Sequence, residues 1–236
     1  MGKRAIYYDT ETTGLKSQTD RIIEIAAYDP EEDRTFAAFV NPGMPIPAES
    51  TAITNITDAM VADAPDFSVV GQQFIEFCAG DTVLIAHNND NFDIHFLRAE
   101  YARNNIEMPQ WKFLDTLKWA RRYRPDLPKH TLQFLREIYG FDANNAHRAL
   151  DDVIIMHKVF QQMIDDLSID QVYNLMNREE PPPTNMPFGK HQGTPLEKVP
   201  KSYVRWLMDS GALDKPENEK LKACFLEIGL EEPATK

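Results

Sequence analysis

Cysteine is nearly absent from this sequence: Cys78 and Cys224 are the only two, far apart and each in an apolar, helix-like context. That excludes a disulfide framework and points to reduced, buried thiols in a cytoplasmic protein. Long apolar runs are missing too, since none approaches the ~18 residues a membrane helix needs. The opening segment, Met1 to Ile6, has no long apolar stretch before a small-residue cleavage site, so no signal peptide is expected. There are no internal repeats and no long low-complexity tracts. No pair of cysteines or histidines has zinc-ligand spacing. Positive charge is in deficit, with 25 Lys and Arg against 37 Asp and Glu and a net charge of −12. Taken alone, that balance argues against a phosphate-binding surface.

What is there weakens that objection. The cations cluster: Lys118, Arg121, Arg122, Arg124, Lys129 and Arg136 stand against Asp126 alone. The acids, in turn, include some that are placed to be neutralised together by divalent metal. With 236 residues, 42% hydrophobic and 26% charged, the chain suits one packed domain with a small appendage.

Residues Arg4 to Asp9, Arg21 to Asp29 and Arg34 to Val40 read as an opening antiparallel meander, rich in β-branched and aromatic residues. Thr82 to His87 is a nearly all-apolar run, as in a central strand covered on both faces. Helices fit Phe67 to Ala79 (capped by Asp66, stopped by Gly80), Phe92 to Asn104, Phe113 to Arg122, Thr131 to Tyr139 and Ala146 to Leu167. Strands first, then helices alternating with strands, predict an α/β fold with a mixed sheet flanked by helices. Glu179-Glu180-Pro181-Pro182-Pro183-Thr184 marks a linker, since consecutive prolines join neither helix nor sheet interior. The expected organisation is a domain over 1–176, a proline-rich linker over 177–187 and a small segment over 188–236, with a last helix from Glu217 to Ile228.

Three features carry chemistry. Asp9-Thr10-Glu11 ends the first strand, and strand alternation points Asp9 and Glu11 the same way, with Cα atoms ~6.6 Å apart. Alone, the pair could be two solvated acids at a strand end. Side by side in a site, two ionised carboxylates are unfavourable without a cation between them. Asp93 follows the buried strand in His87-Asn88-Asn89-Asp90-Asn91-Phe92-Asp93 and lies on the stripe of Phe96 and Leu97, so it faces inward. An acid favouring a helix N-terminus is the alternative account. In His147-Arg148-Ala149-Leu150-Asp151-Asp152, the apolar stripe Ala149, Met156, Phe160, Met163, Leu167 includes Asp152, while Asp151 aligns with Ile155 and Lys158. Together, four inward carboxylates from three segments need cations, and hard oxygen donors suit Mg²⁺ or Mn²⁺.

Asp9-x-Glu11, His87-Asn88-x-x-x-Phe92-Asp93 and His147-x-x-x-x-Asp152, in that order, resemble the DEDDh exonucleases, a family that includes the proofreading subunit of bacterial DNA polymerase III, ribonuclease T and oligoribonuclease. The resemblance runs from about Ala5 to Met163. Beyond the linker, Phe188-Gly189-Lys190-His191-x-Gly193 and Tyr203-x-x-Trp206-Leu207 are similar to the tail of exonuclease X. The resemblance implies a ribonuclease H-like fold and a 3′→5′ exonuclease that releases nucleoside 5′-monophosphates. It implies Asp9, Glu11, Asp93 and Asp152 as ligands of two Mg²⁺ ions (Mn²⁺ substituting), with His147 as general base. Thr12, Leu15, Thr54, Asn55, Asn88 and Phe92 match segments that meet the substrate, although many family members have glycine where this chain has Asn55. Glu24, also frequent in the family, is expected to be structural. The expected partner is nucleic acid, DNA ahead of RNA, without a membrane; a homodimer is compatible with the sequence. An exoribonuclease, an inactive module holding nucleic-acid ends, and a structural metal-binding protein are the competing readings.

Overall fold

The computed structural model describes residues 3–142, 148–178, 182–215 and 218–229. It divides into two compact units, Met1–Asn177 and Arg178–Lys236.

In the first unit, strands β1 (Arg4–Thr12), β2 (Ile22–Asp29) and β3 (Arg34–Phe39) form the antiparallel meander. Helices α1 (Ala48–Thr54), α2 (Asp58–Val61) and α3 (Phe67–Phe77) follow, then β4 (Thr82–Ala86), α4 (Asp93–Arg103), β5 (Lys112–Asp115), α5 (Thr116–Tyr123), α6 (Leu132–Ile138), α7 (Ala149–Ile164) and α8 (Ile169–Asn177). The sheet order is β3-β2-β1-β4-β5, with β4 and β5 parallel to β1. It is the mixed sheet flanked by helices that the element order predicts, in the ribonuclease H-like arrangement.

The two faces of β1 divide the core. Ile6 and Tyr8 pack with Phe74, Phe96 and Leu97 from α3 and α4, whereas Ala5 and Tyr7 pack with Val153, Met156 and Phe160 of α7. This alternation follows from the period of two along a strand. It also decides what comes next on each face. Moving up β1, the odd-numbered row continues as Asp9 and Glu11 while α7 runs back towards Asp152. The even-numbered row continues as Thr10, on the side of α4. β4 pairs only with Arg4 to Tyr7, so β1 outruns it and leaves an open strand edge from Tyr8 onward.

Boundaries and elements differ from the sequence reading in several places. β1 does not stop at Asp9: it continues through Thr12, so Asp9 and Glu11 lie inside the strand, opposite Ala26 and Glu24, with a register shift after Glu11. The helix expected from Phe113 to Arg122 divides at Asp115, whose carboxylate caps α5 by accepting from the Leu117 and Lys118 amides. The residues before it add an edge strand to β4. Helices α1, α2 and α8 were not foreseen: the first two, of 7 and 4 residues, are too short to show a stripe, whereas α8 packs Ile169, Val172, Tyr173 and Met176 on one face.

The second unit closes its own small core with Met186, Leu196, Val199, Val204, Leu207, Leu213, Leu221 and Phe225. Its helices are α9 (Lys201–Asp209), which the sequence reading lacked, and α10 (Glu219–Glu227). Among the described residues no helix is long and apolar enough to cross a membrane.

Candidate active site

The odd row of β1 and the first turns of α7 bring Asp9, Glu11 and Asp152 together. One carboxylate oxygen from each lies within 4.8 Å of the others. Asp152 is the inward acid of its pair, 9% exposed at the stripe position, and Asp151 is not in the cluster. The three acids line a cleft of about 360 Å³ with Thr10, Asp93, Asn88, Phe92, His87 and the first residues of α6.

Asp93 reaches the cleft by another route. Fully buried at the start of α4, it accepts from the Thr10 amide at 3.1 Å and the Thr10 hydroxyl at 2.7 Å, both on its Oδ1. The open edge of β1 makes this bond available. With Oδ1 committed to Thr10, Asp93 stands beside the three clustered acids rather than among them, and Oδ2 is its other donor atom.

The electrostatics follow from burial. Asp9 is held well above the usual carboxylate range, first by desolvation and then by the charges of Asp93, Glu11 and Asp152. Glu11 is pushed up to about 8 by burial and by Asp152 and Glu24, with Arg148 opposing. Asp93 rises to about 7 through burial, opposed by its Thr10 bonds. All-oxygen donors converging at this spacing, each resisting ionisation beside the others, fit a hard divalent cation and fit no soft metal.

Supporting residues hold the ligating ones. Glu24, opposite Glu11 and buried, accepts from the Ala149 amide at 3.4 Å and from Arg148 Nη2 at 3.3 Å. It therefore caps the helix that carries Asp152, the structural role its sequence position suggested. Gln133 of α6 donates Nε2–H to Asp152 Oδ1 at 3.3 Å. Asp115, 4% exposed, accepts four amides: Asn88, Leu117 and Lys118 on Oδ1 and Asp90 on Oδ2. One carboxylate thus ties the loop before Asp93 to the start of α5.

His87 is not free to move protons. Its Nε2 faces the His130 carbonyl at 2.9 Å, which only accepts, so Nε2 carries the hydrogen and Nδ1 accepts from Thr116 at 2.8 Å. Burial lowers it to about 4. His147 lies outside the described residues.

Of the expected substrate contacts, Asn88 and Phe92 line the cleft. The Thr12 hydroxyl donates to the Gly14 carbonyl at 2.6 Å, and the buried Thr54 donates to Ser50 at 3.0 Å. Leu15 is 84% exposed, and Asn55 is exposed at the end of α1 in the left-handed region, φ 59°. Asparagine tolerates that conformation with little strain. Thr10, Gln133 and Asp115 were not singled out beforehand. The period-two pattern could have marked Thr10, but only the tertiary fold brings Gln133 to Asp152.

Residues 6–160 match the protein-family model described as "Exonuclease", and residues 180–230 match one described as "Putative quorum-sensing-regulated virulence factor". Over 162 residues the chain is 39% identical to a DNA polymerase III subunit epsilon of Treponema pallidum, covering 66% of this chain and 74% of the relative. It is 35% identical over 184 residues to a PolC-type DNA polymerase III of Caldanaerobacter subterraneus, covering 74% of this chain but only 13% of that much longer polymerase. Among solved structures, exonuclease X in complex with 5′-overhanging duplex DNA superposes with a TM-score of 0.56 at 25% identity, covering 73% of this chain and 99% of that one. An Escherichia coli exonuclease I bound to single-stranded DNA gives 0.61 at 23% identity over 69% of this chain and 41% of the other, a likeness of fold.

Proposed function

The chain belongs to the DEDDh (DnaQ-like) family of hydrolytic, divalent-metal-dependent 3′→5′ exonucleases, and from that membership we propose that it degrades DNA from 3′ ends, releasing nucleoside 5′-monophosphates in repair or end processing. The observation that carries the reading is the convergence of Asp9, Glu11 and Asp152 oxygens within 4.8 Å, in a cleft that Asp93 also lines. These four carboxylates are the groups that would hold Mg²⁺, with Mn²⁺ as substitute. When bound, such ions supply Lewis-acid stabilisation of charge at a phosphodiester and lower the pKa of water.

The chain's own residues do the remainder. Thr10 fixes one oxygen of Asp93 and so aims the other. Gln133 orients Asp152, and Glu24 anchors the helix beneath it. His87, neutral and doubly hydrogen-bonded, shapes the wall beside Asn88 and takes no proton. The proton acceptor is assigned to His147 by the family motif, since an imidazole with a pKa near ~6.5 can take a proton from water at neutral pH. Phe92 and Asn88 offer an apolar face and an amide to the terminal nucleotide. The unpaired thiols of Cys78 and Cys224 support a reducing, cytoplasmic setting.

Matched DNA and RNA oligomers test this. Mg²⁺-dependent release of 5′-mononucleotides, faster from DNA, is the expected result. Faster release from RNA would make the protein an exoribonuclease, and no release from either would leave an end-binding module.

A further inference from the structure

The second unit, Arg178–Lys236, holds none of the four cleft carboxylates, yet it displays an arrangement its own core does not require. α9 turns Val204 and Leu207 inward, and Tyr203 packs partly against that core. Trp206 does not, remaining 57% exposed. Its ring stacks on Tyr203, with centroids 5.6 Å apart and planes 27° from parallel. His191 meets Tyr203 edge-on at 4.7 Å. Gly189 makes this ladder fit: its φ is +74°, and a Cβ there would collide with the Tyr203 hydroxyl.

Cations are interleaved with the ladder along the chain. Lys190 sits between Gly189 and His191, while Lys201 and Arg205 occupy exposed positions one turn apart on α9. From Lys190 to the end of α9 there are four Lys and Arg (Lys190, Lys198, Lys201, Arg205) against Glu197 and Asp209, in a chain where acids outnumber bases 37 to 25. A half-exposed indole stacked on a second ring, with exposed cations near it in the chain, presents a face for a nucleobase and charges for its phosphates.

We propose that Trp206, stacked on Tyr203 and flanked by Lys190, Lys201 and Arg205, is a second nucleic-acid site that binds single-stranded DNA by stacking a base on the indole. The proposal rests on DNA being the substrate of the acidic cleft. Stacking needs an unpaired base, so a single strand is favoured over a blunt duplex. A π-face accepts any base, so the grip is sequence-tolerant.

The test uses the full chain and a fluorescein-labelled oligothymidylate, read by anisotropy in EDTA, where uncompensated carboxylates repel DNA from the catalytic cleft. Trp206→Ala should lose roughly five- to hundredfold in affinity, the range for one stacked base. Trp206→Phe should recover most of it. The pair Lys201→Ala with Arg205→Ala should make log K against log salt shallower by about 1.4, for two lost phosphate contacts. Because Trp206 lies outside the core, circular dichroism should show both variants folded; should Trp206→Ala not fold, Trp206→Phe and the cation pair still decide. Equal binding by wild type and Trp206→Ala, an unchanged salt slope, or blunt duplex bound as tightly as single strand would each overturn the site and leave the ladder to a protein partner. The two readings fail separately. A wild type that binds through Trp206 but releases no mononucleotide sinks the nuclease activity alone. A wild type that hydrolyses DNA while Trp206→Ala binds undiminished sinks this site alone.

Discussion

Replacing Glu11 by glutamine should abolish activity and, in the presence of a chelator, stabilise the protein. Glu11 is pushed up to about 8 in the fold from an ordinary 4.5, because it is buried beside Asp152 and Glu24. An unfolded chain ionises this group near 4.5, whereas the folded chain keeps its proton until about 8. Between those values the native state binds more protons, so the stability of the metal-free protein falls as pH rises through this window and levels off above it. At 1.36 kcal/mol per pKa unit the ceiling is about 5 kcal/mol. Water entering the open cleft and relaxation of neighbouring carboxylates lower this to an expected gain of roughly 1–3 kcal/mol for glutamine above pH 8. Urea denaturation in EDTA at about pH 5 and about pH 8 measures it, with the variant's advantage appearing only at the higher pH. Saturating Mg²⁺ should reverse the order, since a ligand that binds only the folded state adds stability to the wild type. A glutamine variant no more stable than wild type at high pH in EDTA, or equally favoured at both pH values, would refute the reasoning.

Three further outcomes are expected, the one for His147 from the family motif and the other two from the geometry. Asp152→Asn should lose at least about a hundredfold in mononucleotide release, as expected for removal of a charge-stabilising group, while Asp151→Asn keeps most of it; the reverse pattern would show the helix face misassigned. His147→Ala should lower turnover by ~10²–10⁴ while Mn²⁺ affinity survives, and loss of metal affinity in calorimetry would make His147 a ligand instead. Asp115→Ala strips the acceptor from four amides and should destabilise the first unit by roughly 2–4 kcal/mol and slow turnover through Asn88 and Asp93, whereas an unchanged urea midpoint would show those amides find water instead.

Much of this was legible in the sequence because two periods do most of the placing. The period of two along β1 put Asp9 and Glu11 on one side, and the helical stripe of α7 chose Asp152 over Asp151. The same strand arithmetic implied Thr10 on the opposite side, although its bond to Asp93 depends on β4 stopping short of β1, which no local pattern states. β5 was hidden because Lys-Phe-Leu-Asp carries no alternation long enough to distinguish a strand, and its pairing with β4 is non-local. Gln133 and Asp115 act through bonds to residues distant in the chain or to backbone amides, which composition and spacing do not record. In the second unit the aromatic residues were visible as a set; only packing separated Phe188 and Tyr203, against the core, from Trp206, in solvent.

The central claim is that the clustered carboxylates form one divalent-metal site, and Mn²⁺ titration calorimetry of wild type against Asp152→Asn tests it most directly. Saturable binding by wild type, weakened at least tenfold in the variant, with proton release increasing as pH falls from about 8 towards 6, is the predicted result, because the raised carboxyls must deprotonate to ligate. Equal Mn²⁺ affinity in the two proteins, or binding without proton release across that range, would contradict it.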